Sequence, residues 1–132
     1  MTSVRREIVL SVPPAEVWRA LTEAEALAEW FANEAELEVR PGGSGRFRWA
    51  DGSERFAAVE LVEREQALGF RWADEHGRAS EVRLELEAVP EGTRLTVTEA
   101  PVGPEARALA GEWSWGIQLL AALPRLRRLA HA

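Results

Sequence analysis

The sequence predicts an α+β domain in which an antiparallel strand meander wraps around one long final helix. Three observations carry this reading. The segment Arg40-Pro41-Gly42-Gly43-Ser44-Gly45 places three glycines within four residues, and an alternating Arg46-Phe47-Arg48-Trp49 run follows at once. Glycine supplies backbone torsions that residues with a Cβ avoid, so this is a tight turn feeding a strand with aromatic side chains on one face and guanidinium groups on the other. Later segments alternate just as cleanly: Leu68, Phe70 and Trp72; then Val82, Leu84 and Leu86; then Leu95 and Val97. Finally, apolar side chains from Trp113 to Leu129 cover an arc of about 220° at 100° per residue, roughly twice the stripe of a helix lying on a sheet surface. Such a helix is either embraced by the sheet or faces a second apolar space.

The elements follow in order. Ile8, Leu10 and Val12 alternate with Glu7, Val9 and Ser11 and predict a first strand over about residues 5–12. Pro13-Pro14 ends it, with Pro14 as a first helical residue and Glu16 in the first turn. Val17, Ala20 and Leu21 share a face of this short helix. Thr22-Glu23-Ala24-Glu25 reads as a capping box opening a second short helix, on which Leu27, Trp30 and Phe31 are apolar at helical spacing. Leu37 and Val39 lead into the glycine turn. Asp51-Gly52 is a hairpin signal after the Phe47–Trp49 strand. Arg55 to Val62 is a further strand whose mixed pattern does not assign its faces. Asp74–Gly77 and Glu91-Gly92 are turns. Gly103-Pro104-Glu105 starts the last helix, expected from about Pro104 to about Leu129 and kinked by Pro124.

At 132 residues the chain is read as one domain, 1–132, large enough for a core without staples. It has no cysteine, which excludes thiol catalysis, disulfides and thiolate metal sites. All sixteen basic residues are arginine, so Schiff-base chemistry and a P-loop lysine are excluded as well. A net charge of −6 argues against nucleic acid as a partner. The N-terminal segment lacks the apolar run of a secretory signal, and no window approaches the ~18 apolar residues of a membrane span. A cytoplasmic protein without stable membrane insertion is expected.

Catalytic motifs are missing. Gly42-x-Ser44 continues to Arg46, so no nucleophile elbow forms, and Gly43-x-Gly45 has no third glycine. His76, within Asp74-Glu75-His76-Gly77, reads as part of a solvated turn. No catalytic residue, metal or cofactor is therefore assigned. Glu99 stands apart, because it continues the Leu95–Val97 parity and should point inward. A buried carboxylate would anchor a ligand's polar group or act as an acid/base. The alternative is that the strand has ended there and Glu99 meets water or an arginine.

The quoted residues also resemble a known family. Val17-Trp18-x-x-Leu21-Thr22, Glu29-Trp30-Phe31, Arg40-Pro41-Gly42-Gly43 with Arg46-Phe47, Leu68-Gly69-Phe70-x-Trp72, Gly92-Thr93-Arg94-Leu95-Thr96-Val97 and Trp113-x-x-x-Ile117-x-x-Leu120 are similar, in register, to the AHSA-like family of homologues of the activator of the heat-shock-protein ATPase. That family lies in the START-like (SRPBCC) helix-grip superfamily. The resemblance implies a curved antiparallel sheet around the C-terminal helix, with a hydrophobic cavity between them. Trp30, Phe47, Trp49, Phe70, Trp72, Leu84, Leu95, Val97, Glu99, Trp113, Ile117 and Leu120 would line that cavity. Such aromatics are more often plain core than ligand wall, and the excess of inward apolar surface tips them toward a wall. The leading functional expectation is a carrier or sensor of an apolar small molecule or lipid. A polyketide cyclase/dehydrase-like enzyme and a co-chaperone acting on a heat-shock ATPase in a stress response are the alternatives. A homodimer is left open.

Overall fold

The computed structural model describes residues 3–102. Strand β1 (Val4–Leu10) is followed by helices α1 (Pro14–Thr22) and α2 (Ala24–Trp30) and by six further strands. These are β2 (Glu34–Leu37), β3 (Ser44–Arg48), β4 (Glu54–Glu63), β5 (Ala67–Asp74), β6 (Ala79–Val89) and β7 (Gly92–Val102). All seven strands lie in one curved antiparallel sheet with the order β1-β7-β6-β5-β4-β3-β2. Consecutive hairpins build the row from β2 to β7. β1 then adds beside β7, which brings the helices that follow it back over the sheet. The helix expected over residues 104–129, with Trp113, Ile117 and Leu120, lies outside the described residues.

Alternation decides the faces. β6 buries Ser80, Val82, Leu84 and Leu86 and exposes Glu81, Arg83, Glu85 and Glu87. β7 buries Thr93, Leu95, Val97 and Glu99 in the same way. The inner face merges with Val17, Trp18, Ala20 and Leu21 of α1 and Leu27 and Trp30 of α2 into one hydrophobic core. At about 25 cal/mol per Å² of apolar surface buried, this shared core is the main stabilising term.

The two helices are joined differently from the sequence expectation. Thr22 is the last residue of α1, and its hydroxyl donates to the Trp18 carbonyl at 2.7 Å. The predicted capping box is therefore absent: Glu23 is the N-cap of α2 and makes no side-chain cap hydrogen bond. A hydroxyl that already bonds the carbonyl four residues back cannot cap the next helix. The clamp between the helices is instead Trp30, whose Nε1 donates to the Ala20 carbonyl at 2.7 Å. Two boundaries also shift: Val12 lies beyond β1 and Val39 beyond β2, and both pack against the core without strand pairing.

The glycine turn is stitched to β4, since Gly42 N–H donates to Val59 O and Val59 N–H to Gly43 O, both at 2.8 Å. Gly42 has φ +85, and a Cβ on Gly43 would lie 2.3 Å from Glu38 O, so both glycines are required. Glu38 braces the turn from outside. It accepts from Ser44 N–H at 3.0 Å, Ser44 Oγ at 2.8 Å and Arg40 at 3.0 Å. These bonds, the Ser44 backbone donor foremost, pull its carboxyl down to about 2 from an ordinary 4.5. A depressed folded-state value means the brace is complete above pH 4.5 and is lost as pH falls toward 2. Carboxyl-detected NMR titration is expected to place Glu38 near 2, with Ser44→Ala moving it toward the ordinary range. An ordinary midpoint in the unaltered protein would rule out the brace.

Candidate functional site

The site is the inner face of β3–β7 at the end nearest α2. Register brings it together: Phe47 pairs with Arg55, Arg55 with Asp74, Ala57 with Trp72, Trp72 with Ser80, Val59 with Phe70 and Val82 with Glu99. Side chains two residues apart on each strand share this face. The result is a patch with an aromatic half and a polar half.

The aromatic half holds Phe31, Phe47, Trp49, Phe70 and Trp72. Trp72 meets Phe47 edge-on at 5.9 Å and 85°, and Phe70 at 5.7 Å and 75°. Phe31, just past α2, stands edge-on to Phe47 at 5.6 Å and to Trp49 at 5.4 Å. Edge-to-face contacts add roughly 0.5–1.5 kcal/mol each beyond the burial of area, so they hold the rings as a rigid wall. Trp49 is half-buried past the end of β3, and its Nε1 donates to the Phe31 carbonyl at 3.0 Å. Leu84, Leu95 and Val97 continue the same face and are buried. Trp30 is buried, serves the helix clamp, and packs its ring against Phe31 at 5.3 Å and 46°.

The polar half was only partly read from the sequence. Glu99 is 2 % exposed on the inner face. It accepts from Trp72 Nε1 at 3.1 Å and from the Ser80 hydroxyl, while Trp72 Nε1 is also 2.9 Å from Ser80 Oγ. Ser80 was missed, although it continues the Val82–Leu84–Leu86 parity backwards by two. Arg55 was missed as well. Its Cζ lies 4.8 Å from the centroid of the Trp72 ring, a cation–π stack. Burial lowers the Arg55 guanidinium from its usual value, the charges of Glu99 and Asp74 work in the opposite direction, and Arg78 adds repulsion. Asp74 is bound elsewhere, to the Arg78 guanidinium at 3.1 Å and to the backbone N–H groups of His76 and Arg78. Burial raises its carboxyl, but these bonds together with the charges of Arg78 and Arg55 outweigh it and leave it below the ordinary value.

Other surfaces offer less. A groove of about 390 Å³ between α2 and β2–β3 is lined by Arg46 and Arg48, whose guanidinium groups are paired with Glu54 at 3.1 Å and Glu34 at 3.4 Å. Among the described residues no cluster of three or more His, Asp or Glu side chains fits a metal ion, and no helix is long and apolar enough to cross a membrane.

A curved antiparallel sheet with two helices after its first strand, and an inner face part aromatic and part polar, defines the START-like helix-grip class of domain. The chain belongs to the family described as Activator of Hsp90 ATPase homolog 1-like proteins, which matches residues 11–125. Among solved structures it is similar to protein MLL2253 of Mesorhizobium loti, with 25 % identity, a TM-score of 0.84, and coverage of 98 % of this chain and 96 % of that one. It is also similar to DynU16, from the dynemicin biosynthetic locus, with 29 % identity and a TM-score of 0.81 over all of this chain. This chain spans only 48 % of DynU16. Protein CV1439 of Chromobacterium violaceum shares the fold, with a TM-score of 0.82 at 19 % identity over 100 % of this chain and 99 % of that one. Among functionally curated proteins no match was found.

Proposed function

We propose that this protein is a cytoplasmic carrier or sensor that binds an apolar small molecule or lipid against the inner face of its sheet. The observation that supports it most is the continuous aromatic wall of Phe31, Phe47, Trp49, Phe70 and Trp72 adjoining a buried carboxylate, Glu99. Ligand sites are mostly apolar surfaces with a few convergent polar groups that fix orientation, and this patch has that composition. The proposal extends this lining to Trp113, Ile117 and Leu120, which lie outside the described residues.

Tryptophan fluorescence gives the test, because Trp49 and Trp72 stand in the wall. A panel of fatty acids, sterols and flavonoids is expected to contain members that change the emission saturably. The bound member should also give a negative heat-capacity change in calorimetry. Native mass spectrometry of the purified protein should show the natural ligand as a discrete mass increment. If no panel member binds below millimolar concentration and no increment is found, the binding reading is wrong.

A second reading, polyketide cyclase/dehydrase-like chemistry, draws on Glu99, a buried carboxylate in reach of a bound molecule and so a candidate acid/base. Likeness to a protein of a biosynthetic locus supports it further. Turnover of a ligand that Glu99→Gln binds but leaves unchanged would favour this reading over simple carriage.

A further inference from the structure

We infer that Arg55 selects ligands carrying an uncharged carbonyl oxygen beside an apolar, flat body; this rests on the binding reading above. In the polar half of the site Asp74 and Glu99 are already engaged in hydrogen bonds. The Asp74 oxygens are taken by Arg78 and two backbone donors. Glu99 Oε2 is taken by Trp72 and Ser80. The Arg55 guanidinium, by contrast, has no hydrogen-bond partner among the described residues; its contact is the Trp72 ring face, 4.8 Å from Cζ. A guanidinium carries five N–H donors in a planar fork and stays protonated, and a partly buried donor left without an acceptor is costly. Its seat over the Trp72 ring places those donors beside the aromatic wall.

Charge decides which acceptor fits. Arg55 already stands in the field of two carboxylates, Asp74 and Glu99, with the Arg78 guanidinium opposing them. A ligand carboxylate would be repelled by those two acids. A ketone, quinone or ester oxygen would accept from the Arg55 donors without bringing a further negative charge. Neutral carbonyl compounds are therefore the class this subsite accepts, with the apolar body against Phe47, Phe70 and Trp72.

Three probes of nearly equal shape test this: 2-acetonaphthone, 2-ethylnaphthalene and 2-naphthoate, each measured by displacement of Nile red from the full chain. The ketone should bind about tenfold tighter than the hydrocarbon, from hydrogen bonding to a charged donor. The carboxylate should bind more weakly than the ketone. Arg55→Met should abolish the preference for the ketone and leave ethylnaphthalene affinity within about threefold. Bound acetonaphthone should show its carbonyl stretch at lower wavenumber in the unaltered protein and not in the variant. If ketone and hydrocarbon bind equally, or the naphthoate binds tightest, the inference is overturned while the binding reading stands. If Nile red and all three probes fail to bind, both fall. The ranking in the unaltered protein decides the matter even if Arg55→Met does not fold.

Discussion

Trp72→Ala is expected to lower stability by about 3–5 kcal/mol, the cost of emptying a large aromatic side chain from a packed site. Trp72 is 1 % exposed and touches Phe31, Phe47, Trp49 and Phe70. The same ring carries the stack with Arg55 and donates to both Ser80 and Glu99. Truncation therefore opens a void, removes the donor shared by a buried carboxylate and a hydroxyl, and releases the guanidinium. Trp72→Phe separates these effects. It keeps an aromatic ring in the site but removes the N–H together with part of the ring volume, with an expected loss of about 1–3 kcal/mol. Denaturant unfolding of both variants, with Nile red binding measured in parallel, checks the pair. A loss below about 1 kcal/mol for Trp72→Ala would mean that the ring borders open space in the unliganded protein. Affinity for apolar probes should then fall while stability holds, and the wall would be a surface waiting for its ligand.

Much of the inner face was legible because alternation is a geometric property of a strand. Val82, Leu84, Leu95 and Val97 were assigned inward from period two alone, and the same parity carried Glu99 inside. Arg55 was not legible. Its strand exposes Phe56, which is 51 % accessible, while burying Ala57 and Val59, and the register then shifts between Val59 and Leu61. An exposed phenylalanine and a bulge together erase the pattern that would have placed Arg55 inward. Its position beside Asp74 and over Trp72 arises from pairing β4 with β5, a contact that local sequence does not encode. Thr22 failed for a different reason. The Thr22–Glu25 spacing is correct for a capping box, but the hydroxyl found the Trp18 carbonyl within its own helix.

Gly92→Ala is expected to destabilise by about 3 kcal/mol or more and to loosen the site from a distance. The glycine opens β7 with φ +141, a conformation L side chains rarely adopt. A Cβ there would lie 2.1 Å from Leu10 O and 2.8 Å from Val12 N, both backbone atoms that cannot rotate away. The segment it would strike joins β1 to α1, held from the other side by Thr93 Oγ1 donating to Val12 O at 2.7 Å. Relief of the clash therefore requires the end of β1 to retreat from β7, and α1 to move with it. α1 anchors α2 through Ala20 and Trp30, and α2 sets Phe31 against Phe47, Trp49 and Trp72. The variant should lose amide-exchange protection first along the β1–β7 pairing from Ile8–Leu95 to Leu10–Thr93. A reduced near-ultraviolet signal from the aromatic wall should accompany that loss. An unfolding midpoint equal to that of the unaltered protein would show that the β1–α1 junction yields freely, and the coupling from this hairpin to the wall would be refuted.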